Sequence, residues 1–329
     1  MKSATRSWRR TARTAGRRLL PALLVAFTAS GVSCVFTRPN AGRIGSAPAA
    51  LDAESVVFPS ESGTLLHAWF ARGRAGAGAV LLLHGVGADR RVMLDRARFL
   101  RASGYAVLLP DFQAHGESVG RHITFGSLES RDAVAALHYL RARSPGEPVG
   151  IVGVSMGGAA AVLANEQGAV ADAYVLESMY PTIREAVRDR LRAWLGPIGP
   201  LFTRPLIGVV GAQAGIEADS LRPIDFIGRL GAPVLVAAGT RDRYTTLAES
   251  ESLYTRASGP KEFWPVEGAG HVDLYAYASM EYEARVGGFL ARYLRPAATA
   301  TAEAGSGDGA EPRSPNGTRP KSLRATLHL

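Results

Sequence analysis

Ser155 sits in Gly153-Val154-Ser155-Met156-Gly157, preceded by Ile151-Val152 and followed by small residues and Val162-Leu163 at helical spacing. A strand that turns this sharply into a helix needs neighbours without side chains, and the two glycines supply them. The turn would lift the Ser155 hydroxyl above a sheet edge and aim the Met156 backbone N–H the same way. A helix beginning there adds a positive end that favours a developing oxyanion. The chemistry is nucleophilic: attack by a serine whose proton passes to a histidine, itself oriented by an acid. In a chain with 37 glycines the pentapeptide alone is weak evidence, so its surroundings must decide.

Those surroundings alternate strand and helix. Val56-Val57-Phe58 and Leu65 to Phe70 form an expected antiparallel pair around Ser62-Gly63. Ala79 to Leu83 and Ala106 to Leu109 are continuous apolar runs, as in strands buried on both faces. Further strands are expected before Ser155, at Ala173 to Leu176, at Val234 to Ala238 and at Glu262 to Val266, with helices at Val92 to Arg101 and Leu128 to Leu140. This is the pattern of an α/β fold with a mostly parallel sheet covered on both faces, over residues 55–295.

Chemistry in such a sheet collects at the carboxyl ends of the strands. Just past successive strands lie His84-Gly85-Val86-Gly87, Asp111 to Ser118, Ser155, Gly239-Thr240-Arg241-Asp242 and Gly268-Ala269-Gly270-His271. Nucleophile, acid and base thus follow in the order Ser155, Asp242, His271. Glu177 is the rival acid, because it ends the strand after the nucleophile helix. Asp225 precedes its strand, and Asp273 is too close in sequence to His271 to brace it. His84 and His115 belong to loops that shape the site.

His84-Gly85, Asp111…His115-Gly116-x-Ser118, Gly153-x-Ser155-x-Gly157, Gly239-x-x-Asp242 and Gly268-x-Gly270-His271 together resemble the α/β-hydrolase superfamily. The resemblance spans nearly the whole body. It implies acyl transfer on a small-molecule ester or amide without metal or organic cofactor, and an oxyanion held by the N–H groups of Met156 and Val86. Esterase, peptidase and acyltransferase share this machinery, and a non-catalytic binding protein is the remaining alternative. Gln113-Ala114 departs from the Arg-Gly that relatives often carry. Residues 179–230 are too long for a plain crossover and read either as a cap over an acyl pocket or as a crossover helix, Ile183, Val187, Leu191 and Trp194 forming one apolar stripe.

The net charge of +9 is concentrated at the start: Lys2, Arg6, Arg9, Arg10, Arg13, Arg17 and Arg18 precede Leu19 without any acid. The body is left nearly neutral, which gives no electrostatic footprint for nucleic acid. The apolar stretch Leu19 to Ala29 follows, then Cys34, the only cysteine. Residues 1–34 resemble a bacterial lipoprotein export signal; an uncleaved membrane anchor and plain secretion are the other readings. Residues 35–54 read as a flexible tether and 296–329 as a disordered tail, from their Pro, Gly, Ala and Thr content.

Overall fold

The computed structural model describes residues 37–295; the leader through Cys34 and the tail from Pro296 lie outside them. The strands are β1 (Asn40–Ala41), β2 (Glu54–Pro59), β3 (Leu65–Ala71), β4 (Ala79–Leu83), β5 (Ala106–Pro110), β6 (His115–Gly116), β7 (Val149–Val154), β8 (Ala173–Glu177), β9 (Val234–Gly239) and β10 (Lys261–Val266). Eight of them form one sheet in the order β10-β9-β8-β7-β4-β5-β3-β2. The pairings from β10 through β5 are parallel, while β5-β3 and β3-β2 are antiparallel.

The helices are α1 (Leu94–Ala102), α2 (Ser127–Arg143), α3 (Met156–Ala164), α4 (Ile183–Leu195), α5 (Thr203–Ala214), α6 (Leu247–Arg256), α7 (Leu274–Tyr277) and α8 (Ser279–Leu294). Side chains alternate across the sheet, as β4 shows. Leu81 and Leu83 join a core shared with α2 and α3, whereas Val80 and Leu82 join the core on the opposite face with α1 and α8. All nine residues of α3 are buried. Its Gly and Ala content lets the helix lie directly on the sheet, which fixes the height of Ser155 at its N-terminus.

Two parts of the molecule differ from, or decide, the sequence expectations. Residues 37–54, expected as a flexible tether, lie against the body. Asn40 N–H donates to Ala114 O at 2.8 Å and Gly42 N–H to Gly116 O at 2.8 Å. Ile44 and Gly45 N–H both donate to the Glu117 carboxylate at 3.0 Å, and Leu51 is fully buried. Main-chain hydrogen bonding orders this segment, and that requires no apolar composition.

Residues 182–220, within the segment expected as a possible cap, form a helical pair inserted between β8 and β9. Helices α4 and α5 are separated by the 3₁₀ segment Gly196–Phe202 and enclose their own small cluster of Leu191, Leu206 and Val210. Three buried aliphatic side chains are too small a core to hold two helices by themselves. The cap therefore depends on the body, where Ile183, Ala186, Ile207 and Ala218 enter the main core.

Candidate active site

Ser155 has φ 50° and ψ −112°, a backbone conformation that costs about 1–3 kcal/mol for a residue with a side chain. The strain is held by close main-chain approach on either side. A Cβ on Gly157 would stand 2.3 Å from Leu83 O, and one on Gly153 would stand 2.6 Å from Gly158 N. Ser155 N–H donates to Glu177 O at 2.8 Å, pinning the turn to the neighbouring strand.

The acid and base meet from separate loops. Asp242 follows β9, and His271 follows β10. His271 Nδ1 lies 2.7 Å from Asp242 Oδ2. Asp242 Oδ1 accepts from Tyr244 N–H at 2.8 Å and Thr245 N–H at 3.0 Å, and Oδ2 accepts from the Thr245 hydroxyl at 2.7 Å. Burial pushes the Asp242 carboxyl up, but its hydrogen bonds to His271 and Thr245 outweigh this and leave it below its ordinary value. With a carboxylate on Nδ1, the His271 proton is held there and Nε2 is left with its lone pair. The Tyr244 ring stands edge-on to His271, centroids 5.7 Å apart.

His271 and Ser155 line one open cavity together with Val86, Arg190 and Tyr244. The Ser155 hydroxyl makes no hydrogen bond among the described residues, and its exposure is 4%. The same serine also lines a second, apolar cavity beneath the cap, walled by Phe125, Ile183, Leu191, Leu206, Ile207 and Val210. Ser155 therefore lines both an open cavity that carries His271 and a nearly all-apolar one.

Two residues with uncommitted main-chain donors line these cavities. Met156 is the first residue of α3, so its N–H has no intrahelical acceptor. The Val86 N–H is likewise unclaimed among the described residues. The loop carrying Val86 is braced by two neutral histidines. His84 Nε2 accepts from Phe112 N–H at 3.1 Å, so its Nδ1 must be the donor to Gly85 O at 2.8 Å. His115 Nε2 accepts from Gly87 N–H at 3.1 Å and its Nδ1 donates to Gln113 O at 2.9 Å. Burial drives His84 down to about 3 and lowers His115 as well, so both remain neutral acceptors. Asn40, from the segment expected to be loose, donates from Nδ2 to Gly87 O at 2.7 Å.

The departure at Gln113-Ala114 has a local account. Ala114 takes the left-handed conformation, φ 59°, that a glycine would adopt freely. Gln113 Nε2 donates to Glu129 Oε1 at 2.8 Å and to His122 O at 2.9 Å, tying the loop to the start of α2.

Glu177, the rival acid, is engaged elsewhere. It receives Arg96 Nε at 3.1 Å, Arg96 Nη2 at 2.6 Å and the Tyr282 hydroxyl at 2.5 Å. Arg96 also reaches Asp273 at 2.8 Å, so this buried group anchors the chain just after His271. Sequence reasoning missed Arg96, Tyr282 and Thr245. Thr245 alone had a local signal, as an aspartate commonly accepts from backbone N–H groups two and three residues on.

This fold and site define the α/β-hydrolase class. A family model described as serine aminopeptidase, S33, matches residues 75–221. The Mycobacterium tuberculosis protein Rv2307c is 33% identical over 270 residues, covering 78% of this chain and 89% of its own length. Lysophosphatidylserine lipase ABHD12 of Macaca fascicularis is 35% identical over 130 residues, 37% of this chain and 32% of its own. The Pyrococcus furiosus esterase Pf2001 superposes with a TM-score of 0.65 at 23% identity, over 78% of this chain and all of that one. The chain belongs to the α/β-hydrolase superfamily and is a hydrolase of the serine type.

Proposed function

We propose that the protein hydrolyses carboxylic esters through an acyl-enzyme on Ser155, with His271 as base and Asp242 as the orienting acid. The observation that carries the reading is the 2.7 Å contact of His271 Nδ1 with Asp242 Oδ2 at the cavity that Ser155 also lines. His271 Nε2 takes the Ser155 proton as Oγ bonds to the ester carbon. The resulting oxyanion is met by the N–H groups of Met156 and Val86, each donor of this kind lowering the barrier by about 3 kcal/mol. The alkoxide leaves with the proton from His271. Water, deprotonated by His271, then attacks the acyl carbon and frees Ser155.

The apolar cavity supports an acyl chain as the portion bound beneath the cap. Arg190 is the only charged side chain among its lining residues. An aminopeptidase must also neutralise a substrate ammonium, and the acid lining the open cavity, Asp273, is already paired with Arg96. This favours an ester over a peptide. The lipase named among the relatives is consistent with an ester bearing a long acyl chain.

Fluorophosphonate labelling tests the nucleophile: the wild type labels and Ser155→Ala does not, whereas labelling that persists in the variant contradicts the assignment. p-Nitrophenyl esters of increasing acyl length, run beside aminoacyl amides, test the substrate class; faster cleavage of the amides would turn the reading to a peptidase. We also propose, from the basic and apolar leader alone, export and tethering to the membrane through Cys34. Cys34→Ser then shifts the protein to the soluble fraction, and unchanged fractionation rules lipidation out.

A further inference from the structure

Arg190 lies on the cap helix α4 and lines both the apolar cavity and the open one, beside Ser155 in each. Two other arginines on that helix are neutralised: Arg184 pairs with Asp219 at 2.6 Å, and Arg188 with Asp189 and Glu249, each at 2.8 Å, while Arg192 is exposed to solvent. Arg190 has no carboxylate within ion-pair distance among the described residues. One nitrogen, Nη1, donates to Ala186 O at 3.1 Å, and the guanidinium lies 5.5 Å from the Tyr244 ring centroid. Burial pulls the group below its ordinary value, with Tyr180 and Asp242 opposing that pull; a guanidinium so shifted is still a cation.

A positive group at the rim of an apolar chamber has lost much of its hydration without gaining an ion-pair partner in contact with it. Its planar array of donors matches a carboxylate or phosphate. We propose that Arg190 is a specificity-determining residue that selects esters whose alcohol portion carries an anionic group close to the scissile bond. The acyl chain then enters between α4 and α5, and the anion remains in the open cavity between Arg190 and Tyr244. This inference rests on the ester-hydrolase reading above and narrows its substrate class. A charge-assisted contact of this kind is expected to be worth about 10- to 100-fold in kcat/KM.

The test compares three octanoyl esters with the same acyl chain: of glycerol, of glycerol phosphate and of glycerate. Wild-type enzyme is expected to prefer one or both anionic esters over the neutral one by at least 10-fold, and the preferred arm distinguishes phosphate from carboxylate. In Arg190→Gln that preference collapses, and Arg190→Lys restores part of it. Arg192→Gln, on an exposed cap arginine that lines neither cavity, retains it. A role confined to stacking on Tyr244 would slow all three esters together and leave their ratio unchanged.

A wild-type ratio near one overturns the proposal, independently of whether any variant folds, and so does a ratio that survives Arg190→Gln. If none of the esters is cleaved while fluorophosphonate still labels Ser155, this substrate class is wrong and the nucleophile stands. Loss of labelling as well removes the hydrolase reading on which the inference rests.

Discussion

Two buried carboxylates stand at the ends of neighbouring strands, and their surroundings give them different work. Glu177 closes β8 and Asp242 follows β9, with Glu177 directly opposite Ala237 in the parallel register. Both are almost fully shielded from solvent. Glu177 is saturated by a guanidinium and a tyrosine hydroxyl. Asp242 is surrounded by two main-chain N–H groups and a threonine, leaving one direction for His271. Position at the sheet edge makes a carboxylate available to the site, but the partners that reach it first decide whether it holds the fold together or orients the histidine.

The largest effect that could break this contrast is in catalysis. Asp242→Asn keeps the shape, yet an amide nitrogen facing His271 favours the tautomer with its proton on Nε2, which cannot accept from Ser155. A loss of roughly 10⁴-fold in kcat on a p-nitrophenyl ester is expected; a loss under about tenfold would mean that another acid serves His271. The mirror experiment, Glu177→Gln, leaves Arg96 buried beside the half-exposed Asp273 alone. It should lower unfolding stability by about 3 kcal/mol in urea denaturation while reducing kcat by no more than about tenfold, because the change acts through the chain after His271. If the catalytic loss exceeded that of Asp242→Asn, the roles of the two carboxylates would be reversed.

Thr245→Val sharpens the comparison at smaller scale. It removes one of the donors that hold Asp242 Oδ2, at a cost of about 1 kcal/mol, and should reduce kcat about fivefold. No change in rate would show that the main-chain donors are sufficient. The smallest effect is in pH dependence. The Asp242 carboxyl is held below its ordinary 3.8, so its contribution to stability is complete above that value and fades as pH falls through the lower folded one. Denaturation curves across the acid range should therefore show a shallower acid loss in Asp242→Asn than in the wild type. Equal slopes would contradict the depressed carboxyl.

What the sequence made legible follows from where each interaction lies along the chain. The strands and the loops after them were readable because apolar runs ending in Gly-containing turns are local signals; so was the elbow at Ser155. Asp242 and His271 stood out because each follows such a run. The Arg96–Glu177 and Glu177–Tyr282 contacts span 81 and 105 residues, and no local pattern announces them. In the sequence, Glu177 and Asp242 consequently look alike, as carboxylates just past neighbouring strands.

The misreading of residues 37–54 has a different origin. Pro, Gly and Ala content reports the lack of a burying face, not the availability of main-chain partners, and the partners here belong to the 110s loop. In the sequence, residues 179–230 read equally as a cap or as a crossover helix for a related reason. An apolar stripe such as Ile183-Val187-Leu191 looks the same whether it covers a sheet or a substrate cavity. The segment's second helix, α5, lines the same apolar cavity through Leu206, Ile207 and Val210.

Everything proposed for catalysis requires the strained serine at the start of α3 to carry the acyl group. Rapid mixing with a p-nitrophenyl ester, with intact mass measured at the end of the first turnover, tests it most directly. The expected result is a burst of one p-nitrophenol per chain and an acyl adduct that maps to the peptide containing Ser155, both lost in Ser155→Ala. A burst of the same size in that variant, or an adduct mapping to any other residue, would contradict it.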